Sequence, residues 1–384
     1  MKKLSERQRR RLIYYSQRAH RTRRQHRVGF IFSAEGAEQV LLPGNARPMP
    51  ENFCVFENTE ETFKFLNALR DRLLRPPVSG IRAVSARLKG RGSRGAPRWI
   101  GRYIDFTTIK YISAASALIL AAEYDRARAV RAQSTKEIGR LFVVDPHLWA
   151  REVFDKLVSV GFFDILRIAN TDVGDSNPDE RVLRFRSGKQ SDPVAISEML
   201  DDLGKMFQDV GLNADDACFE LNGALGEAME NAVRCAYPAD RPLRYPHVGR
   251  WWMTGALSRS TRRMQVAIFD QGVSIPGSLS DWKFYEGFLA RFKRAVGLQA
   301  ALSEPKYDGT VIEIAIEESA TSTMLEKHGK GLGHIKAFVD SCTSGRLTII
   351  SRNGFYMYEK GRKPVVKSLA VNIGGTLVEW DVRI

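Results

Sequence analysis

Cysteine is scarce in this 384-residue chain. The four present, Cys54, Cys218, Cys235 and Cys342, are scattered without a Cys-x-x-Cys pair. Such spacing offers neither a disulfide framework nor a set of zinc ligands, and it reads as reduced, buried thiols in a cytoplasmic protein. Long apolar runs are missing as well: the longest, Ile112 to Ala122, falls well short of the roughly 20 residues that span a bilayer. No apolar core follows the positive charges at the N-terminus, so no secretory leader is expected. There is no internal repeat and no long low-complexity tract.

What is present is the composition of a soluble globular protein, 43% apolar and 27% charged, long enough for two domains that each bury a core. The net charge of +15 is unevenly placed. Residues 1–28 carry eleven Lys or Arg against the single acid Glu6, a local +10. Leu12, Ile13, Tyr14 and Tyr15 are interleaved with these charges. An arm of this kind is compatible with a phosphodiester backbone, an acidic partner or membrane surface, or no specific ligand at all. A second basic, glycine-rich stretch, Arg87 to Arg102, reads as a flexible loop.

The densest chemistry lies in the C-terminal half. Glu220 to Tyr237 has helical periodicity, with Leu221, Leu225, Ala228 and Val233 apolar and with Glu227 and Asn231 one turn apart on a common face. A carboxylate there can polarise water, and an amide oxygen can ligate Mg²⁺. The plain alternative is the solvated side of an amphipathic helix. Further on, the strand-like run Met264 to Asp270 breaks into Gln271-Gly272-Val273-Ser274-Ile275-Pro276, holding one carboxylate at a turn, where it can accept from an exocyclic amine. His328-Gly329-Lys330-Gly331-Leu332-Gly333 then leads into the helical pattern HIKAFVDSC. Alternate glycines let backbone N–H groups approach phosphates, and Lys330 can add a point charge. Gly374-Gly375-Thr376 follows, between the strand-like runs SLAVNI and LVEWDVRI.

Together the EAMEN, DQGVSIP, GKGLG and GGT segments resemble the GHKL (Bergerat-fold) ATPases, a family that includes sensor histidine kinases, anti-sigma-factor serine kinases and type II topoisomerase ATPase subunits. The resemblance covers roughly Ser191 to Ile384. It implies ATP and Mg²⁺ as ligands, Asn231 as the metal ligand, Asp270 as the adenine-amine acceptor and Gly272 in the adenine-side turn. It further implies Gly329, Gly331 and Gly333, with Lys330 and Leu332 between them, as the phosphate loop, Thr376 beside the adenine, and Glu227 as general base. It also implies a homodimer. One position departs from the pattern: Ser274 stands where the family has a second glycine, so that turn requires either an ordinary or a strained backbone.

Between Pro276 and His328, about fifty residues hold two helical patterns, Trp282 to Leu302 and Val311 to Ala320. They suit either a lid over a nucleotide or an insertion packed on the sheet. Arg291, Lys293 and Arg294 there can meet phosphates or solvent. Upstream, Phe63 to Leu73 reads as a helix, Tyr103 to Phe106 and Lys110 to Ile112 as strands, Ser116 to Arg128 as a helix, Leu141 to Val144 as a strand, and Trp149 to Val160 as a helix. YIDFTTIKYISAASALILAAEYDRAR resembles the central strand-turn-helix of STAS domains, although Ser113-Ala114-Ala115-Ser116 lacks that family's aspartate and phosphoserine. An unrelated α/β interaction domain is the alternative.

The expected fold is therefore α/β (α+β). A basic arm (1–28) precedes a STAS-like α/β domain (29–170) and a polar linker (171–193) in which VLRFR can add an edge strand. A Bergerat-type sandwich follows (194–384), with helices on one face of a mixed sheet. The expected function is an Mg²⁺-ATP-binding switch that hydrolyses ATP and regulates a partner protein, met through the STAS-like domain, or a nucleic acid, met through residues 1–28. The alternative is an anti-sigma-type serine kinase, and a nucleotide-binding module without turnover is a third reading. None of the six histidines suits an acceptor on a dimerising hairpin: His20 and His26 lie in the arm, His147 and His247 follow prolines, and His328 and His334 flank the phosphate loop.

Overall fold

The computed structural model describes residues 27–42, 46–74, 98–100, 103–133, 141–169, 179–282, 285–321 and 331–383. Residues 1–26, 87–97 and 101–102, which hold nearly all of the two basic stretches, lie outside this set.

The dominant element is an eight-stranded sheet, made of β1 (Glu180–Val182), β2 (Arg186–Gly188), β3 (Trp251–Ser258), β4 (Arg263–Asp270), β5 (Ser344–Ser351), β6 (Gly354–Glu359), β7 (Val365–Ser368) and β8 (Thr376–Arg383). Its order is β2-β3-β4-β8-β5-β6-β7, with β1 also pairing to β3. Every pair in it is antiparallel. A mixed sheet was the expectation from sequence, and the short turns joining β3 to β4 and β5 to β6 explain the difference, since tight hairpins join only antiparallel strands. The polar segment between the two halves supplies β1 and β2, both at the β3 edge.

Strand residues alternate between two apolar environments. Trp251, Met253, Leu257, Met264, Val266, Ile268, Val378 and Trp380 join one core cluster, whereas Trp252, Ala256, Ala267, Phe269, Ile350 and Leu377 join another. A sheet apolar on both faces must be covered on both. Helices α4 (Pro193–Gln208), α5 (Asp215–Cys235), α6 (Tyr285–Val296), α7 (Asp308–Thr321) and α8 (Gly331–Ser341) belong to the first side. The second side, expected bare of helices, is covered by the N-terminal half through α1 (Thr59–Leu74), α2 (Ala114–Ala132) and α3 (Arg151–Val160). The N-terminal half thus shares its main core with one face of the sheet, while the cluster on the other face is built from C-terminal residues alone. α7 packs against β6 and β7 and is part of this layering. Within it, Arg291 of α6 is paired with Glu317 and Glu318 of α7.

Two sequence readings shift. The helix expected from Ser116 begins at Ala114, because Ser113 caps it by accepting from the Ser116 amide at 3.2 Å. The run SLAVNI is strand only as far as Ser368. Beyond it the Leu369 amide donates to the Asn353 carbonyl and the Ile373 amide to the Arg352 carbonyl, so the chain folds over the β5–β6 turn as a loop instead of extending the sheet.

The N-terminal half adds a hairpin, Arg27–Ser33 with Gly36–Leu42, flanked by Val143–Val144 and Arg98–Trp99 in a four-stranded sheet. Its central helix is α2, buried without interruption from Ala114 to Ala127. Such a helix is enclosed rather than laid on a surface. It nevertheless carries charge. Glu123 accepts from Arg70 Nε of α1 at 2.8 Å and from Arg126, all three side chains being at most 3% exposed. Trp252 of β3 donates its indole N–H to Asp125 at 3.1 Å, tying α2 to the sheet. Burial alone would raise the Glu123 carboxyl, but the charges of Arg126 and Arg70 outweigh it and hold it below the usual range.

No helix among the described residues is long and apolar enough to cross a membrane. All four cysteines are free, Cys54 and Cys218 buried and the other two half-buried.

Removing one member of a buried ion group strands the others. Glu123→Gln, which leaves two enclosed guanidinium groups without an anion, is expected to cost about 3–5 kcal/mol in urea denaturation. A loss below about 1 kcal/mol would show that the site is hydrated and the group dispensable.

Candidate active site

A cleft of about 600 Å³, counting the part open to solvent, lies between α5, α8 and the ends of β4 and β8, on the C-terminal helical side of the sheet. Residues of α5 at helical spacing, Ala228, Asn231, Ala232 and Cys235, form one wall, and Leu332 and Ile335 of α8 form another. The floor is strand: Asp270 ends β4, with Thr376 directly opposite it on β8. Ser274, Ile275 and Ser278, in the turn and short helix after β4, close one end, and Trp282 lies beside them.

Among the described residues, Asp270 is the only carboxylate lining this cleft. It is 7% exposed and accepts from the Gly272 amide at 2.8 Å and from both the backbone and the hydroxyl of Thr376. Burial nonetheless pushes its carboxyl up to about 7, against an ordinary value of 3.8, because these hydrogen bonds only partly offset desolvation. The folded chain thus holds a proton that the unfolded chain has released. The stability this contributes is complete below about pH 4 and is lost as pH rises through 7. Thr376 Oγ1 lies 2.8 Å from Ser351 Oγ, which accepts from the Ile275 amide at 2.8 Å. Either hydroxyl of that pair can be the donor.

Backbone approaches fix the turn around Asp270. A side chain at Gly272 would place its Cβ 2.1 Å from the Ala236 carbonyl oxygen, which already accepts from the Val273 amide. At Gly375, where φ is +143°, a Cβ would sit 1.9 Å from the Asp270 carbonyl oxygen. Ser274 resolves the choice left by its departure from the glycine pattern, because it adopts φ 78° and ψ 165°. This region belongs essentially to glycine and costs another residue on the order of 1–3 kcal/mol. Its hydroxyl is buried without a hydrogen-bond partner.

Of the residues singled out from sequence, Asn231, Asp270, Leu332 and Thr376 meet at this cleft, with Gly272 two residues beyond Asp270. Glu227 is one turn before Asn231 on α5 and is not among the cleft-lining residues; it faces His334 Nδ1 of α8 at 3.7 Å. Gly331 and Gly333 lie inside the first turn of α8 rather than in a loop before it. Gly329 and Lys330 are outside the described residues. Sequence reasoning missed Ser351, Cys235, Ser278, Trp282 and Tyr237. The Tyr237 hydroxyl accepts from the Gln271 amide at 2.9 Å and donates to the Arg250 carbonyl. Cys235, one turn beyond Asn231 on α5, and Tyr237, which closes that pattern, carried a signal; the rest are placed by tertiary contacts.

Among the described residues, no group of three or more His, Cys, Asp or Glu side chains could hold a metal ion. No family model matches this chain, and neither a curated protein nor a solved structure matches it.

Replacing Ser274 by glycine removes both the strained backbone and the stranded hydroxyl. Against glycine's larger unfolded-state entropy, Ser274→Gly is expected to stabilise the chain by about 1 kcal/mol in urea denaturation. Destabilisation would show that the serine makes an interaction that outweighs its conformation.

Proposed function

We propose that this chain is an Mg²⁺-ATP-binding protein of GHKL type that hydrolyses ATP to drive a conformational switch acting on a partner. The observation that carries the reading is the convergence of Asn231, Asp270 and Thr376, from segments up to 145 positions apart in sequence (376 minus 231), on one cleft. In this reading Asp270 accepts from the exocyclic amine of adenine. The amine selects the ionised carboxylate, and Thr376 and Gly272 hold that carboxylate in place. Polyphosphate lies toward the N-terminal turn of α8, where helix amides and the positive dipole end favour anions. Asn231 fits Mg²⁺ by its chemistry: it is a hard amide oxygen on the cleft wall, and the ion needs only one or two protein oxygens when phosphates and water complete its octahedron. Glu227, one turn away, polarises the attacking water. Its position beyond the cleft-lining residues, facing His334, requires the water or the α8 turn to bring the phosphate toward it.

Calorimetric titration of the full chain with Mg²⁺-ATP tests the reading. Asp270→Asn sets an amide donor against the adenine amine and is expected to weaken binding by roughly 10²-fold or more. Equal affinity for the two proteins would remove Asp270 as the base-reading group. Glu227→Ala is expected to abolish turnover while binding persists, and unchanged turnover would sink the general-base assignment.

The charge state of Asp270 gives a separate check. With its carboxyl at about 7, ionisation rises from about one-tenth at pH 6 to about nine-tenths at pH 8, so ATP affinity is expected to increase about tenfold across that interval. A flat profile, or one that falls, contradicts recognition by the carboxylate.

A further inference from the structure

We infer that the N-terminal helices α1 and α2 are an integral part of this nucleotide site, and that the Glu123–Gln271 hydrogen bond carries the state of the cleft to them. The inference rests on the ATP reading above and adds to it the route and the residues.

Gln271 follows Asp270 directly, yet its side chain goes the other way. Asp270 lines the cleft, whereas Gln271, 3% exposed, donates from Nε2 to Glu123 Oε1 of α2 at 3.2 Å. The same oxygen accepts from Arg70 of α1, and the other oxygen of Glu123 accepts from Arg126. A second path runs back from Arg70. A Cβ at Gly374 would lie 2.7 Å from Arg70 Nη1, and at neighbouring Gly375 one would lie 1.9 Å from the Asp270 carbonyl. Asp270, Gln271, Glu123, Arg70, Gly374 and Gly375 therefore form a closed ring across the sheet end. Displacing Asp270 on ligand binding must displace Gln271 or the Gly374–Gly375 turn, and both bear on the same buried ions.

α1 grips that turn further. The Arg70 Nη1 group donates to Asn67 Oδ1 at 2.9 Å, Asn67 Nδ2 donates to the Asn372 carbonyl at 3.1 Å, and Glu60 accepts from the Ala370 amide at 2.9 Å. Both chain segments that shape the cleft floor are thus held by the N-terminal half.

The ring also has room to respond. Arg70 Nη2, Arg126 Nε and Gln271 Oε1 are buried with no hydrogen-bond partner. Two guanidinium donors and one amide acceptor in a single enclosed cluster can exchange partners, and in a low-dielectric interior a small shift in their positions changes the energy strongly. A two-arrangement element touching both sites is what physical coupling requires. Occupancy of the cleft then biases α2, and anything that engages the N-terminal half biases nucleotide affinity by the same factor.

Hydrogen exchange on the full chain, with and without Mg²⁺-ATP, tests this in wild type and in Gln271→Leu, with calorimetry reporting binding for each. In wild type, ATP is expected to slow exchange of the α2 amides roughly threefold or more beyond any change in the Arg27–Leu42 hairpin, which cancels global stabilisation. In Gln271→Leu, ATP still binds and the extra protection of α2 is lost. ATP binding to wild type with no selective change in α2 overturns the coupling and leaves the ATP reading standing, and that result needs no variant. Undiminished α2 protection in Gln271→Leu removes Gln271 from the route. If wild type binds no ATP by calorimetry, the functional reading falls and this inference falls with it.

Discussion

A single carboxylate, Glu123, sits between two buried guanidinium groups at the level where the halves of the chain meet, and much of the architecture follows from satisfying it. An enclosed ion of either sign is tolerable only with its partners in place. Arg70 and Arg126 supply the countercharge, Gln271 supplies a third donor, and each comes from an element whose position is thereby fixed. α1 cannot leave α2 without stranding a charge, and neither can leave the turn after β4 without breaking the Gln271 hydrogen bond to Glu123. The neighbouring Trp252–Asp125 bond adds a second anchor along the same helix. Apolar burial supplies the bulk of the cohesion here, but it is non-directional. The polar contacts select which turn faces which helix.

The same logic, with the opposite outcome, governs the cleft. Asp270 is buried like Glu123, but the groups that hold down its charge are neutral donors rather than cations. One acid is consequently held ionised below its ordinary range while the other is poised near neutrality. Two carboxylates near one strand end, Asp270 closing β4 and Glu123 bonded to the next residue, Gln271, are thus given different work by their surroundings alone. Structural ions are neutralised internally; a group left able to change its charge is suited to meeting a ligand.

Much of the C-terminal half was legible in the chain. The α5 pattern stood out by its 3.6-residue apolar period, which matches the burial of Leu221, Leu225 and Ala228, and MQVAIFD by a near-continuous apolar run, which matches the burial of Val266 to Phe269 on both faces of the sheet. Asp270 and Thr376 were readable as punctuation at element ends, and Asn231 as a polar position one turn from Glu227 on an amphipathic helix. Other features were not readable, for identifiable reasons. Glu123, Asp125 and Arg126 look like one solvated turn of a helix, and only the tertiary partners Arg70, Trp252 and Gln271 reveal that they are enclosed. SLAVNI has the alternation of a strand, but Asn353 and Arg352 capture its backbone first. Which face of the sheet would be covered, and by what, depends on pairing order, and sequence periodicity carries no such order.

The shared core has a practical bearing on how this molecule can be taken apart. Trp252, Phe269, Ile350, Phe355 and Leu377 all lie on the sheet face that the N-terminal half occupies. A fragment beginning near residue 194 would carry that face into water as a broad oily plane, together with an open strand edge where β1 and β2 had been. Sheets in that condition stick to one another. Failure of such a fragment to bind nucleotide would therefore speak to the cut and not to the cleft.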